Sequence, residues 1–481
     1  MQTSNLASPF IRSITSLVFL LMSTTSADEW TQFRGPNASG ISVESTNLPI
    51  HFSHEEQVKW SVDLGRGVAS AVIAENRVFS TAMVNEETFA VVAFNANTGK
   101  PLWRREFAVD HLPDITAPNE HASSTPTTDG KRVYVYFSTL GMMAFAADDG
   151  ELLWQQDLPM PFYLLGWGPA NSPIVYEDLV FFNLDDDLDA YLIAFDKLTG
   201  DIRWKTPRPD MLGGYATPVI CKANGRTDLV VAGTGKLKGY DPQTGHELWS
   251  CSSLLRTIMT TPVVQGDRIF VSIQSYGDTN RVLKYALLQW LDTNQDEKLD
   301  KNEVAEAFWT KFDQGDNNQD GFLVDEEIDV AFQSSANMVG GGTTIQAVRG
   351  GGMGNVTASH MLWNLSNESP SNIASPIVVD DRLLVVKKGG ISAAFQVEDG
   401  QSIWVRKRIR NFGNYFASPV AGDGKIYITG ENGFIVVIDA SGKKPVILSK
   451  NDMGDSCTAT PSIASNHIYV RTLHKLFCIG K

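Results

Sequence analysis

The stretch LIAFDKLTGDIRW, residues 192–204, reads as an apolar strand, a tight turn built on aspartate, threonine and glycine, and a second strand closed by tryptophan. Apolar runs flanking a turn with glycine are hairpin chemistry. The frame returns as VVAFNANTGKPLW (91–103), MMAFAADDGELLW (142–154), LKGYDPQTGHELW (237–249) and SAAFQVEDGQSIW (392–404). Upstream of each lies another hairpin, as in TTPVVQGDRIFVSI (260–273) and ASPIVVDDRLLVV (374–386). Two hairpins per repeat give four strands, the size of one propeller blade.

The repeats can be counted twice. Ser70, Thr125, Ser172, Thr217, Thr261, Ser375, Ser418 and Thr460 open eight first strands, and Trp60, Trp103, Trp154, Trp204, Trp249, Trp363, Trp404 and Val446 close eight fourth strands. The last repeat, ending LHKLFCIGK (473–481), lacks a fourth strand, whereas QVKWSVDL (57–64) is a closing strand with no blade before it. Joining the two removes exposed sheet edges, so the sequence predicts one all-β, eight-bladed propeller of four-stranded blades. A tryptophan recurring once per blade points to packing between blades.

One interval is out of scale. Neighbouring closing positions lie 41 to 51 residues apart, but Trp249 and Trp363 are separated by 114. The excess falls between the second and third strands of the fifth blade, in a loop where a module can be added without disturbing the core. It holds DTNQDEKLDKNE (292–303) and DNNQDGFLVDEE (316–327). Oxygen donors at positions 1, 3, 5 and 12, with a sharp turn at 6, are the spacing of a calcium loop, and two such loops predict a small α-helical EF-hand pair over 287–335. Expected ligands are Asp292, Asn294, Asp296, the carbonyl of Lys298, Asp300 and Glu303 in the first loop, and Asp316, Asn318, Asp320, the carbonyl of Phe322 and Glu327 in the second. Glu297 stands where Gly321 makes the turn in the second loop. A left-handed backbone there costs a residue with a side chain about 1 kcal/mol, so the first loop should bind more weakly. Between the loops, Val304, Phe308 and Phe312 share a helical face. Extracellular calcium modules bind with dissociation constants of roughly 10⁻⁴ to 10⁻³ M, which suits a structural ion.

The formal charge is −15, and residues 292–329 carry much of it. A field concentrated in one acidic segment argues against a nucleic-acid partner. Four cysteines are too few for a disulfide framework in a chain of 481 residues, and Cys457 with Cys478 could be either a bridge or two buried thiols. Residues 1–27 place Arg12 before the apolar run SLVFLLM and the small residues STTSA. That is the order of a secretory signal, too short to span a membrane, and without a cysteine at the cleavage point. The expected layout is a signal over 1–27, an N-terminal extension over 28–57 and the propeller over 58–481, periplasmic or secreted, and monomeric.

The repeats, the opening WTQFRGPNASGIS (30–42) and the closing LFCIGK (476–481) resemble the secreted pyrroloquinoline-quinone-like β-propellers. Those are similar in fold to quinoprotein alcohol dehydrogenases and to the propeller lipoprotein of the outer-membrane assembly machinery, and the subtype with EF-hands in one blade resembles proteins of planctomycete-type bacteria. The resemblance implies the fold and leaves the function open. One class is a non-catalytic binder of a protein, peptide or glycan on one propeller face. The other is a quinone-dependent alcohol or sugar dehydrogenase with calcium as Lewis acid. Methanol-oxidising quinoproteins carry adjacent cysteines over the cofactor, and this sequence has none, nor a haem-type Cys-x-x-Cys-His. Calcium is therefore the expected cofactor and the quinone is not favoured. In either class the loops entering the first strands converge on one end of the channel. Glu120, His121, Trp167, Tyr215, Arg256, Asn414 and Tyr415 are the candidate lining. The run LDDDLD (184–189) reads as a solvated hairpin tip.

Overall fold

The computed structural model describes the chain except residues 1–28, 164–165, 210, 212, 254–259, 275–287, 289–290, 305, 332–342, 367–372 and 410–412. Residues 1–27, expected to be a signal, and Arg256 thus lie outside the described residues, as does part of the insert.

Eight four-stranded antiparallel blades form a ring. Their first strands are Val72–Ala74, Thr127–Thr128, Ile174–Tyr176, Val219–Ala223, Val263–Gln265, Ile377–Val379, Val420–Gly422 and Ser462–Ala464, and blades one to eight are named in that order. The eighth is closed by Val58–Asp63 from the other end of the chain, which pairs antiparallel with Lys475–Ile479. Blade five takes its second strand from Arg268–Gln274 and its third from Thr343–Arg349, so the inserted segment lies between them.

The repeating turn explains itself in blade three. Asp196 Oδ1 accepts the amides of Leu198 and Thr199, and the Gly200 amide donates to the Asp196 carbonyl. Gly200 closes the turn at φ 78, a conformation that favours glycine. A Cβ there would stand 2.6 Å from the ring of Trp154, the closing tryptophan of the preceding blade. Trp154 Nε1 also donates to the Lys197 carbonyl at 3.2 Å. The same docking joins Trp60 to Ala96 and Gly99, Trp103 to Ala147 and Gly150, Trp204 to Pro242 and Gly245, and Trp363 to Val397 and Gly400. Glycine and tryptophan recur together because, at these five contacts, a blade's closing tryptophan fits over the next blade's glycine. A register shift in the fourth strand accompanies it: Ala194 faces Trp204 while Phe195 faces Ile202. Trp249 departs from the pattern, donating to Asp228 within its own blade at 2.7 Å, because the turn of blade five is RGGGMGN (349–355).

The N-terminal residues run across the end of the ring opposite the loops that enter the first strands. Trp30 exchanges backbone hydrogen bonds with Ile73 of blade one, Thr128 of blade two donates to Thr31, and Asn37 exchanges two with Ile220 of blade four. Arg34 Nη2 donates to the Pro376 carbonyl at the start of blade six, Ile41 pairs with Ala421 of blade seven, and Thr46 meets Asn466 of blade eight. Six blades hold this strap, through backbone bonds at Trp30, Thr31 and Ile41 and through side chains at Arg34, Asn37 and Asn466. Burial lowers the pKa of Arg34 to about 9.

All four cysteines are free and buried. Cys457 Sγ donates to the Arg471 carbonyl instead of pairing with Cys478, which decides between the two alternatives.

Candidate functional site

Each first strand begins Ser-Pro or Thr-Pro except the first, where Ser70 precedes Ala71. Proline cannot donate, so the hydroxyl residue before it carries the polar contact between blades. Its amide donates to the hydroxyl oxygen of the next blade: Ser70 to Thr125, Thr125 to Ser172, Thr217 to Thr261, Thr261 to Ser375, Ser375 to Ser418 and Ser418 to Thr460, at 2.9 to 3.1 Å. The result is a girdle of hydroxyls around the axis. All eight girdle residues line one cavity of about 400 Å³, together with Phe33 of the strap, Asn119, Trp167, Tyr215 and Phe416. Among its described lining residues there is no Asp, Glu, His, Lys or Arg.

The aromatic side of the mouth is fixed by the loop before blade three. Tyr163 stacks on Tyr215, with centroids 5.1 Å apart and planes at 20°. The Tyr163 hydroxyl donates to Asn171 Oδ1, and Asn171 Nδ2 donates to the Gly214 carbonyl. Burial raises the Tyr163 phenol well above its ordinary value, so it stays a neutral donor. Asn119 Nδ2 donates to the Trp167 carbonyl at 2.6 Å, bridging the loops of blades two and three.

Glu120 and His121 are placed elsewhere. They line a neighbouring pocket of about 400 Å³ with Arg66, Asn85 and Glu86, beyond the wall made by Ala117 and Asn119. Arg66 Nη2 lies 2.5 Å from Glu120 Oε1. Burial lowers the His121 pKa, with Glu120 and Asp114 opposing. Trp167 and Tyr215 do line the axial cavity. Asn414 and Tyr415 do not: Asn414 Nδ2 donates to Glu431, and Tyr415 is packed in the core between blades six and seven. The neighbouring Phe416 faces the cavity in its place, as alternation along an extended chain requires. Arg471, a cation near the ring's seam, is buried and donates to the Gly65 carbonyl.

The LDDDLD run is a second correction. Asp185, Asp186 and Asp187 are buried, and Asp185 receives Arg208 through two hydrogen bonds, Nε to Oδ1 at 2.7 Å and Nη2 to Oδ2 at 2.8 Å. Burial pushes the Asp185 carboxyl up and Arg208 pulls it back. Asp186 is occupied by the amides of Phe162, Leu188 and Asp189. Acidic residues in a short run look solvated when their partners are far away in sequence.

The insert leans on this hairpin. Its apolar residues Leu299, Val304, Phe308, Phe312, Leu323, Ile328 and Ala331 form one cluster against which Phe162 and Leu188 of blade three pack. Lys311 Nζ donates to the Leu188 carbonyl at 2.7 Å, and burial lowers its pKa against the pull of Asp186, Asp187 and Asp189. The two acidic loops repeat one another residue by residue. Leu299–Asp300 pairs with Phe322–Leu323, Glu297 donates to Asp292 Oδ2 at 2.9 Å, and Gly321 donates to Asp316 Oδ2 at 3.0 Å. Glu303 Oε1 takes the amides of Thr293 and Asn294, and Glu327 Oε1 those of Asn317 and Asn318. Glu297 adopts φ 63 at the position where Gly321 adopts φ 84. Among the described residues no three His, Cys, Asp or Glu side chains are gathered around one metal position.

Comparison with known proteins agrees with this geometry. The BamB relative of Shewanella oneidensis, an outer membrane protein assembly factor, is 22% identical over 405 residues, which cover 79% of this chain and 88% of the relative. BamB from Moraxella catarrhalis superposes with a TM-score of 0.54 at 13% identity, covering 88% of this chain and 97% of that one. The quinoprotein alcohol dehydrogenase PedH of Pseudomonas putida is 34% identical over 130 residues, 24% of this chain, and the match spans only 20% of the dehydrogenase. No described helix is long and apolar enough to cross a membrane. The profile of the family described as outer membrane protein assembly factor BamB matches residues 51–161, 89–324 and 338–479, and the chain belongs to that PQQ-like β-propeller repeat family.

Proposed function

We propose that the chain is an exported, non-catalytic scaffold that binds a segment of another protein at the channel mouth. The observation that carries this reading is the axial cavity, walled by hydroxyl and aromatic groups with no ionisable acid or base among its described lining residues. Bound groups there meet a concave, largely apolar surface with a few fixed polar atoms, which suits an inserted side chain. The BamB relatives, matched over most of their length, support the scaffold role.

The alternative, a quinone-dependent dehydrogenase, is favoured by the partial likeness to PedH. A planar quinone with three carboxylates needs cationic partners, and an uncompensated anion in such a cavity is strongly disfavoured. The described lining does not fit that group. The protein incubated with calcium and pyrroloquinoline quinone is expected to emerge from gel filtration without quinone absorbance and to reduce no dye with alcohols or aldoses. Stoichiometric retention with substrate-dependent dye reduction would replace the scaffold reading by the enzymatic one.

Calcium belongs to the insert in this proposal. The donor set of 316–327, with Asp316, Asn318, Asp320, the Phe322 carbonyl and Glu327, fits a hard cation, and Gly321 supplies the turn. The loop 292–303 offers an equivalent set but must hold Glu297 left-handed. Bound there, calcium supplies charge neutralisation and rigidity. Glu327→Gln should therefore weaken calcium binding in calorimetric titration more than Glu303→Gln, by roughly tenfold for loss of one carboxylate charge. Equal effects of the two substitutions would mean that the loops are equivalent despite their turns.

A further inference from the structure

We propose that the mouth receives an extended cationic segment, which sets an uncharged side chain into the axial cavity and a lysine or arginine into the neighbouring pocket beside Glu86 and Glu120. The proposal rests on the scaffold reading above and names the chemistry of the partner.

Three observations carry it. The two cavities are of similar size, about 400 Å³ each, and Ala117 and Asn119 line both, so a single wall one loop thick divides them. A short extended segment can cross such a wall with side chains on either side. The axial compartment holds none of the residues that would compensate a charge, whereas the neighbouring one holds Arg66, Glu86, Glu120 and His121. The charge that one compartment excludes, the other is equipped to take.

The sign of that charge follows from the partners already present. Arg66 is engaged by Glu120. Glu86 is exposed and makes no ion pair among the described residues. His121 is held toward the neutral imidazole by burial, and its Nδ1 has no hydrogen-bond partner among the described residues. A free, exposed carboxylate beside an imidazole that carries no positive charge suits an ammonium or guanidinium donor.

The rim points the same way. The insert docks beside the mouth on Phe162 and Leu188, and its segment 292–329 contains thirteen acidic residues against three lysines. A negative rim draws basic segments to the mouth and repels acidic ones. A neutral glycan would gain nothing from that field.

The test uses the full mature chain, immobilised in calcium buffer, to select random dodecapeptides displayed on phage. Soluble copies of the selected peptides are then titrated. Enriched peptides are expected to carry Lys or Arg within two residues of an aromatic or aliphatic residue. Changing that Lys to Glu should weaken binding at least about tenfold, and Glu86→Gln with Glu120→Gln about fivefold, with a flatter salt dependence. Glu86→Gln alone, at an exposed position, should act in the same direction without touching the fold. Tyr215→Ala reports whether a peptide sits at the mouth. Peptides that need Tyr215 but ignore the Lys→Glu exchange and the carboxamide variants would overturn this inference and leave the scaffold reading standing. Selection that returns no peptide sensitive to Tyr215→Ala, or binding of neutral oligosaccharides alone, would overturn both.

Discussion

Arg208→Met lowers the stability of the ring by about 3–5 kcal/mol, the cost of leaving Asp185 charged and buried without its partner. Both side chains are sealed, at 1% and 0% exposure, and the guanidinium also donates from Nη1 to the Tyr240 hydroxyl at 2.6 Å. The salt bridge ties the hairpin between the second and third strands of blade three to the end of its fourth strand, and the bond to Tyr240 carries it on to blade four, so its loss also frees the hairpin on which the insert rests. Guanidinium denaturation checks the size of the effect. Replacing both members, Asp185→Leu with Arg208→Met, should recover much of the loss, because an apolar pair of similar volume needs no desolvated charge. A loss below about 1 kcal/mol for the single change would place the pair among solvent-screened surface bridges.

Trp60→Ala is the second large effect. Trp60 is 8% exposed, donates to the Ala96 carbonyl at 2.8 Å, covers Gly99 and packs near the Tyr469 ring, with centroids 6.0 Å apart. Truncating a buried tryptophan costs about 3–5 kcal/mol wherever it sits. Here it also sits on Val58–Asp63, the strand that closes the ring from the far end of the chain. Trp103→Ala removes the same docking, a bond to the Ala147 carbonyl at 2.9 Å, from a strand inside the continuous chain. The two variants should therefore lose similar stability but differ in limited proteolysis, with only Trp60→Ala cut early near residues 64–70. Identical cleavage patterns would show that closure does not depend on this tryptophan.

The fold was legible because its determinants are local and repeated. A turn such as Asp196 to Gly200 needs an acidic or amide residue, with its glycine and its downstream tryptophan at fixed spacing, and five copies expose the spacing. The girdle had the same regularity in its Ser-Pro and Thr-Pro pairs, but its meaning lies in bonds between blades, which spacing alone does not display. The errors were long-range or one residue wide. The partner that buries Asp185 is 23 residues away. Tyr415 and Phe416 differ only in which face of an extended segment each occupies. Phe33 reaches the cavity floor from a strap whose course no local pattern announces.

That strap has a consequence for how such a ring can change over evolutionary time. Blades built from one repeat could be gained or lost by unequal duplication, since each docks on its neighbour in the same way. The strap breaks this equivalence. Its residues meet blades one, two, four, six, seven and eight in a fixed order, with Trp30 on Ile73, Asn37 on Ile220 and Ile41 on Ala421. Adding or deleting a blade would shift every later partner by one position around the circle and strand the buried guanidinium of Arg34 away from the Pro376 carbonyl. A non-repeating segment, residues 30–46, thus acts as a counting device, holding the number of blades at eight while the repeats themselves remain free to diverge.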